Sequence, residues 1–307
     1  MSARALLARC VPVLAAALCS AGCDDSLKSV SLIEETRVLG ARVEVDTDPL
    51  RSSPYPGERA SLRFFVAAPN GEPNISYALS LCAVSLTNDG SPPCADAPFA
   101  TAVQADAGKA NARLDFQLPE ELDAKTTPHA LAKGLICPDS GLEFEPDGAP
   151  RCVTGRGTEV AFEFDLANME ESNHSPTFAT DALSLDGQPW PASSEMSCDD
   201  RSLRQVAASS RHALQIALAD SNFELLTQQT SVDPPREALL VSPFSSAGQL
   251  EHGFLALGVD TPPEQQRVGW NAVFAAGAIP HLVRFYFVVR DGRGGQDFAE
   301  RVLCVVP

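Results

Sequence analysis

Apolar and polar residues alternate with a period of two in several short stretches of the chain. Val43-Glu-Val45, Ala112–Leu118 and Val160–Leu166 carry this pattern, and the apolar runs Leu62–Ala67 and Tyr77–Cys82 between turn signals read as further strands. Alternation turns one face of a strand to a core and the other to water. Turn residues punctuate these stretches at Pro54–Gly57, Pro69-Asn-Gly71 and Pro92-Pro-Cys94. Many short strands with such punctuation predict a sandwich rather than parallel α/β units. Pro119–Gly134 lacks the alternation, and His129-Ala-Leu-Ala-Lys133 within it predicts a short helical turn. A polar run over residues 167–175, ending just before Pro176, marks a domain junction. Beyond it Ala182–Leu185, Ala213–Leu218, Ala238–Val241, Ala272–Phe274, His281–Arg290 and Glu300–Val306 predict a second set of strands. Asp291-Gly-Arg-Gly-Gly295 lies between the last two, and Asp-Gly between apolar strands is a strong hairpin signal.

A terminal strand, an Asp-Gly-x-Gly-Gly turn and a closing strand resemble the end of bacterial immunoglobulin-like domains of the PKD or cadherin-like kind. The Pro56-Gly57 turn, the strand after it, Pro69-Asn-Gly71 and Tyr77–Cys82 look like early strands of such a domain. The whole chain resembles Ig-like lipoproteins of myxobacteria-type Gram-negative bacteria. The resemblance implies extracytoplasmic binding or scaffolding. The expected fold is all-β, with two tandem immunoglobulin-like β-sandwich domains following a signal peptide and a short tether. The expected boundaries are 1–22 for the signal peptide, 23–36 for a lipidated cysteine and tether, 37–170 for the first sandwich and 171–307 for the second. No internal repeat is visible in the sequence.

The amino terminus reads as an address. A short basic region with Arg4 and Arg9 precedes the apolar run Val11–Leu18, and Ser20-Ala21-Gly22 leads into Cys23. This is the layout of a secretory signal peptide. Small residues before a cysteine resemble the lipobox of bacterial lipoproteins, although Ser20 stands where that pattern has leucine. Lipid on Cys23 would anchor the chain to a membrane. The outer membrane is the expected one, with the inner membrane as alternative because Asp24 resembles a retention signal of enteric bacteria. No later segment is long and apolar enough to span a bilayer, which takes about 20 residues.

Cysteine parity agrees with export. Cys10 and Cys19 leave with the signal and Cys23 takes the lipid, so Cys82, Cys94, Cys137, Cys152, Cys198 and Cys304 remain. An even set in an exported chain reads as disulfides. Six cysteines permit many pairings, and the simplest is sequential: Cys82–Cys94, Cys137–Cys152 and Cys198–Cys304.

The formal net charge is −17, which argues against nucleic acid as a partner. His129, His174, His212, His252 and His281 show no zinc-ligand spacing, and no C-x-x-C pair exists. The G-x-S-x-G signature of serine hydrolases is absent, Ser140 being flanked by Pro138 and Leu142 instead. Ala107-Gly108-Lys109 lacks the spacing of a phosphate-binding loop. The sequence therefore predicts a non-enzymatic envelope module with no catalytic residue, metal or cofactor, and with an envelope protein or a glycan as partner. The alternatives are a carbohydrate- or Ca²⁺-binding surface protein, using Trp190 as an aromatic platform or Asp291 and Asp297 as ligands, and an envelope hydrolase with dispersed acids.

Overall fold

The structure is a computed structural model describing residues 29–84, 94, 97–109, 111–168, 172–193, 197–199, 203–226, 235–274 and 281–307. The signal sequence, Cys23 and the Pro92-Pro93 turn lie outside the described residues. Among the described residues, nine strands build the N-terminal half: β1 (Arg37–Val45), β2 (Arg59–Ala67), β3 (Ile75–Ala83), β4 (Ala100–Gly108), β5 (Arg113–Gln117), β6 (His129–Pro138), β7 (Leu142–Phe144), β8 (Pro150–Cys152) and β9 (Thr158–Asp165). The C-terminal half contains β10 (Leu183–Leu185), β11 (Gln188–Pro189), β12 (Gln205–Ala207), β13 (Arg211–Ile216) and β14 (Leu239–Ser245). It continues with β15 (Gln249–Leu250), β16 (Leu255–Leu257), β17 (Arg267–Asn271), β18 (His281–Arg290) and β19 (Gln296–Val306).

In the first half, sheet β1-β2-β5 faces sheet β4-β3-β6-β9. Val43, Leu62, Phe64, Leu81, Leu114 and Phe164 fill the space between them. In the second half, β11-β10-β13-β17-β15 faces β12-β19-β18-β14-β16 around Leu214, Ile216, Trp270, Phe285, Phe287 and Leu303. Without the short edge strands β11, β12 and β15, the two halves have the same order. First, second and fifth strands form one sheet, while the fourth, third, sixth and last form the other. Each half is thus an immunoglobulin-like Greek-key β-sandwich, and the chain holds a structural repeat that its sequence conceals.

The alternating stretches all became strands, several with longer bounds. Two expectations need correction. Residues 129–133 are not helical; they open β6, which is paired along its length with β3 on one side and β9 on the other. Ala272–Phe274 is not a strand; β17 ends just before it at Asn271. The turn after β18 is also larger than a two-residue hairpin. Arg290 pairs with Gln296, and the positive φ values fall on Gly292 and Gly294 rather than on Asp291.

The sandwiches are not strung on a flexible linker. Residues 31–307 form one compact unit. Of the segment read as tether, Ser31–Ile33 pairs with Ser245 at the end of β14, and Ile33 is fully buried. The outer face of β1 and β2 is apolar at Leu39, Phe65 and Ala67, and it covers Tyr286, Val288 and Phe298 on the outer face of β18 and β19. Phe65 stacks on Phe298 at 4.3 Å between centroids. The Tyr286 hydroxyl donates to the Ala68 carbonyl at 2.6 Å, so its buried oxygen is satisfied. Both halves are therefore fixed in one orientation by a shared apolar patch.

Candidate functional site

The three sequential disulfides are present: Cys82–Cys94, Cys137–Cys152 and Cys198–Cys304. Each joins cysteines with Cα atoms 5.4–5.5 Å apart, within the ordinary range. Cys137–Cys152 fastens the β7–β8 hairpin over the outer face of the four-stranded sheet. Small residues on that face (Ala78, Ser80, Ala161) leave a groove of about 860 Å³ beneath the hairpin, edged by Val103, Leu135 and Phe144. Val103 and Phe144 are both more than half exposed.

The residues singled out as ligand candidates serve the fold. Trp190 is no exposed platform. It packs edge-on against Phe285 inside the second core, and its indole N–H donates to the Val302 carbonyl at 3.1 Å. The sequence signal misled because Gln-Pro-Trp-Pro looks like a loop, whereas β11 carries the indole back over the sheet. Asp297 accepts from Arg42 at 2.7 Å and from the Phe178 N–H at 2.8 Å, linking β1 to β19. Asp291 is buried and holds its own turn, with one oxygen accepting the N–H groups of Arg293 and Gly295 and the other accepting from Asn173. Burial pushes its carboxyl up, and those hydrogen bonds only partly offset that.

Beside Asp291 lies a charged knot where the sandwiches meet. Arg293 donates to Glu224 at 2.6 Å and to Glu237 at 2.9 Å. The Glu237 side chain is 3% exposed, and burial raises its carboxyl pKa despite Arg293. Glu224 also contacts His174 at 2.8 Å, whose other ring nitrogen is 3.5 Å from Asp48 of the N-terminal half. Among the described residues, no cluster of three or more His, Cys, Asp or Glu is arranged to hold a metal.

One polar constellation was not singled out in the sequence. Asp186 and Gly187 form the two-residue turn between β10 and β11, with φ of 52° and 74°. Positive φ at both centre positions is the tight hairpin geometry that favours Asp-Gly. Because β10 pairs with β13, this turn places the Asp186 carboxylate beside β13. One oxygen accepts the Ala213 N–H at 2.9 Å, and the other lies 2.7 Å from His212 Nδ1. Burial alone would raise the Asp186 carboxyl, but these hydrogen bonds outweigh it and lower the pKa. The other ring nitrogen, Nε2, lies 2.5 Å from Ser210 Oγ.

Ser210 lies just before β13, of which His212 is the second residue. The His212 ring lies against Trp270, its cross-strand partner, at 5.9 Å and 34°. Ser210 is anchored through its carbonyl, which accepts from the Ala272 N–H at 2.9 Å. Ser209 before it adopts a left-handed φ of 61°, a conformation that side chains other than glycine seldom take. The Ser210 hydroxyl donates its proton to the Ala207 carbonyl. A cleft of about 520 Å³ adjoins Asp186 and His212, lined further by Arg211, Glu251, His252 and Arg267. Serine, imidazole and carboxylate are thus in hydrogen-bonded sequence.

No family model matches the chain, and no curated protein does. Among solved structures the chain is similar to the fibronectin(III)-like modules of Clostridium thermocellum CbhA, at 9% identity. That match covers 86% of this chain and 93% of the other, with a TM-score of 0.22. Dimeric latent PorU from Porphyromonas gingivalis matches at 12% identity over 88% of this chain and 20% of its own, TM-score 0.21. The endo-fucoidan hydrolase MfFcnA9 of glycoside hydrolase family 107 matches at 12% identity over 87% of this chain and 34% of its own, TM-score 0.18. The fold class rests on strand order in the two sandwiches.

Proposed function

We propose that the chain is a cell-envelope lipoprotein, anchored through Cys23 at the outer membrane, whose joined sandwiches act as a binding or scaffolding module. One observation carries the reading. Every cysteine after the leader except Cys23 is committed to a disulfide, so the remaining thiol is the one placed for acylation. Disulfides belong to oxidising compartments, which supports export. The fixed orientation of the sandwiches suits a scaffold, a role that requires no chemistry, and the groove under the β7–β8 hairpin is the surface for a partner.

Two measurements test this. In a Gram-negative host fed an alkyne fatty acid, the wild type is expected to take the label and sediment with outer membranes. Cys23→Ala is expected to lose both properties. An unlabelled wild-type protein with reduced thiols would overturn the anchor. For binding, Val103→Arg places a charge in the groove at an exposed position and should leave folding intact. An envelope protein retained by the wild type and lost on Val103→Arg supports the groove as the surface; identical captures by both forms exclude it.

A further inference from the structure

We infer that the β16 edge of the second sandwich, carrying Leu240, Phe254 and Ala256, rests on a zwitterionic phospholipid surface. This deepens the envelope reading and rests on acylation of Cys23. Strand β16 is the edge of its sheet, next to β14. Leu239, Val241 and Leu257 point into the second core, whereas Leu240 and Ala256, paired directly across the two strands, are exposed on the other face. Leu240 is 39% exposed, and Phe254, just before β16, is 62% exposed. Neither strand contains an acidic residue, although the chain carries a formal net charge of −17. The residue paired with Leu240 on β18 is a cation, Arg290. Phe244, further along β14, packs into the joint between the sandwiches, so the strip continues an apolar patch already in use. Apolar side chains exposed on an edge strand invite a cover.

The point where the chain enters the sandwich decides what covers the strip. Ser31–Ile33 pairs with Ser245 at the end of β14. The Ser31 hydroxyl faces Gly253, where an added Cβ would meet it at 3.0 Å, so the chain arrives beside Phe254. Eight residues lead from Cys23 to Ser31. Even fully extended, that length spans at most about 26–29 Å. An acyl chain in the hydrocarbon holds Cys23 at the bilayer, so Ser31 and the edge beside it stay within that reach of the lipid surface. Glu251 and Asp260 flank the strip in sequence, and the whole chain repels anionic headgroups, so zwitterionic ones fit. The β7–β8 hairpin lies on the face of the first sandwich away from the joint and is left free for a partner.

The test uses the full lipidated chain in phosphatidylcholine vesicles, with and without bromine on the acyl chains, which quenches tryptophan at short range. Trp190 and Trp270 are buried in the second core and give a background that the bromines do not reach. Phe254→Trp adds a reporter at an exposed position. Its emission is expected to shift to the blue on reconstitution, and brominated lipid should cut the added emission by about twofold or more. Leu240→Trp reports the same strip should Phe254→Trp fail to fold. Val153→Trp, in the first sandwich after β8 and also exposed, is expected to show neither change. A labelled, vesicle-bound protein with no quenching on the strip, or with equal quenching at Val153→Trp, would overturn the inference and leave the anchor standing. A concentration-dependent blue shift of Phe254→Trp in the Cys23→Ala background without lipid would overturn it in favour of a second copy as the cover. A wild type that takes no fatty acid would overturn both.

Discussion

Arg293→Ala is expected to destabilise the protein by about 3 kcal/mol at pH 8, the low end of the cost of removing one partner from a buried ion pair. The low end applies because the Arg293 side chain is 29% exposed while that of Glu237 is only 3% exposed. Without the guanidinium, Glu237 keeps a buried charge opposed only by the Glu224 N–H, and the Asp291 charge sits nearby. The pH dependence supplies the sharper check. Burial already raises the carboxyls of Glu237 and Asp291 above their unfolded values. For groups raised in this way, the stabilising contribution is fully present below the unfolded carboxylate range, near pH 4, and is lost as pH rises through the folded value. Removing Arg293 raises both further, so the deficit should shrink on going from pH 8 to pH 5, by about 1 kcal/mol or more. Glu58 and Asp186 are shifted the other way, and their contribution is lost in acid. They are the same in both proteins and cancel in the difference. Chemical denaturation of wild type and variant at the two pH values measures it, and a deficit that grows in acid would refute the role given to Arg293. Arg293→Lys keeps the charge without the two-pronged geometry and should recover part of the loss.

The strands were legible because the period of two survives wherever a face is buried. β5 and β9 could be read directly from the alternation of Ala112–Leu118 and Val160–Leu166, and β2 and β18 from the apolar runs in Leu62–Ala67 and His281–Arg290, which are buried at consecutive positions. β6 opens with His-Ala-Leu-Ala-Lys, residues that favour a helix in isolation. Pairing on both sides overrides that preference, which is a property of its neighbours rather than of the segment. β4 alternates only between small and polar residues, Ala100-Thr-Ala-Val-Gln, because it is an exposed edge strand with little to bury. The joint between the sandwiches was illegible for another reason. Tyr286 meets Ala68 across 218 residues, and such contacts leave no local pattern.

The same distinction separates the candidate sites. The six cysteines left when an expected leader and Cys23 are set aside announce disulfides because parity survives without any structure. Trp190 and Asp291 attracted attention as unusual residues in turn-like surroundings, yet both are spent on the fold. The contacts of Asp186, His212 and Ser210 left only a faint trace. Ser210 and His212 stand two residues apart at the entry to β13. Asp186-Gly187 follows Leu183–Leu185 as the tight hairpin turn, while the Asp-Gly that drew notice, Asp291-Gly292, opens a longer loop. Sequence could supply the residue types and their parity. It could not supply the pairing of β10 with β13 that brings Asp186 to His212 across 26 residues.

Disulfide removal should rank with sequence separation, and the largest loss is expected from Cys198→Ala/Cys304→Ala. A cross-link lowers the entropy of the unfolded chain more as the loop it closes grows, giving about 3 kcal/mol for a loop of roughly 15 residues and about 4.7 for roughly 100. Cys82–Cys94 and Cys137–Cys152 span 12 and 15 residues, whereas Cys198–Cys304 spans 106. The long loop holds β12 through most of β19 and so contains most of the second sandwich. Its bond also lies where β12 joins the sheet edge, in parallel register with β19 at Gln205 and Cys304. That parallel edge has few backbone bonds of its own, and the cross-link supplies what the short strand lacks. Each pairwise alanine variant, measured by guanidinium denaturation under oxidising conditions, should therefore fall below wild type, with Cys198→Ala/Cys304→Ala the least stable by about 1–2 kcal/mol. Equal losses from all three pairs would mean that native contacts at each bond, rather than constraint of the unfolded chain, set the stability of the protein.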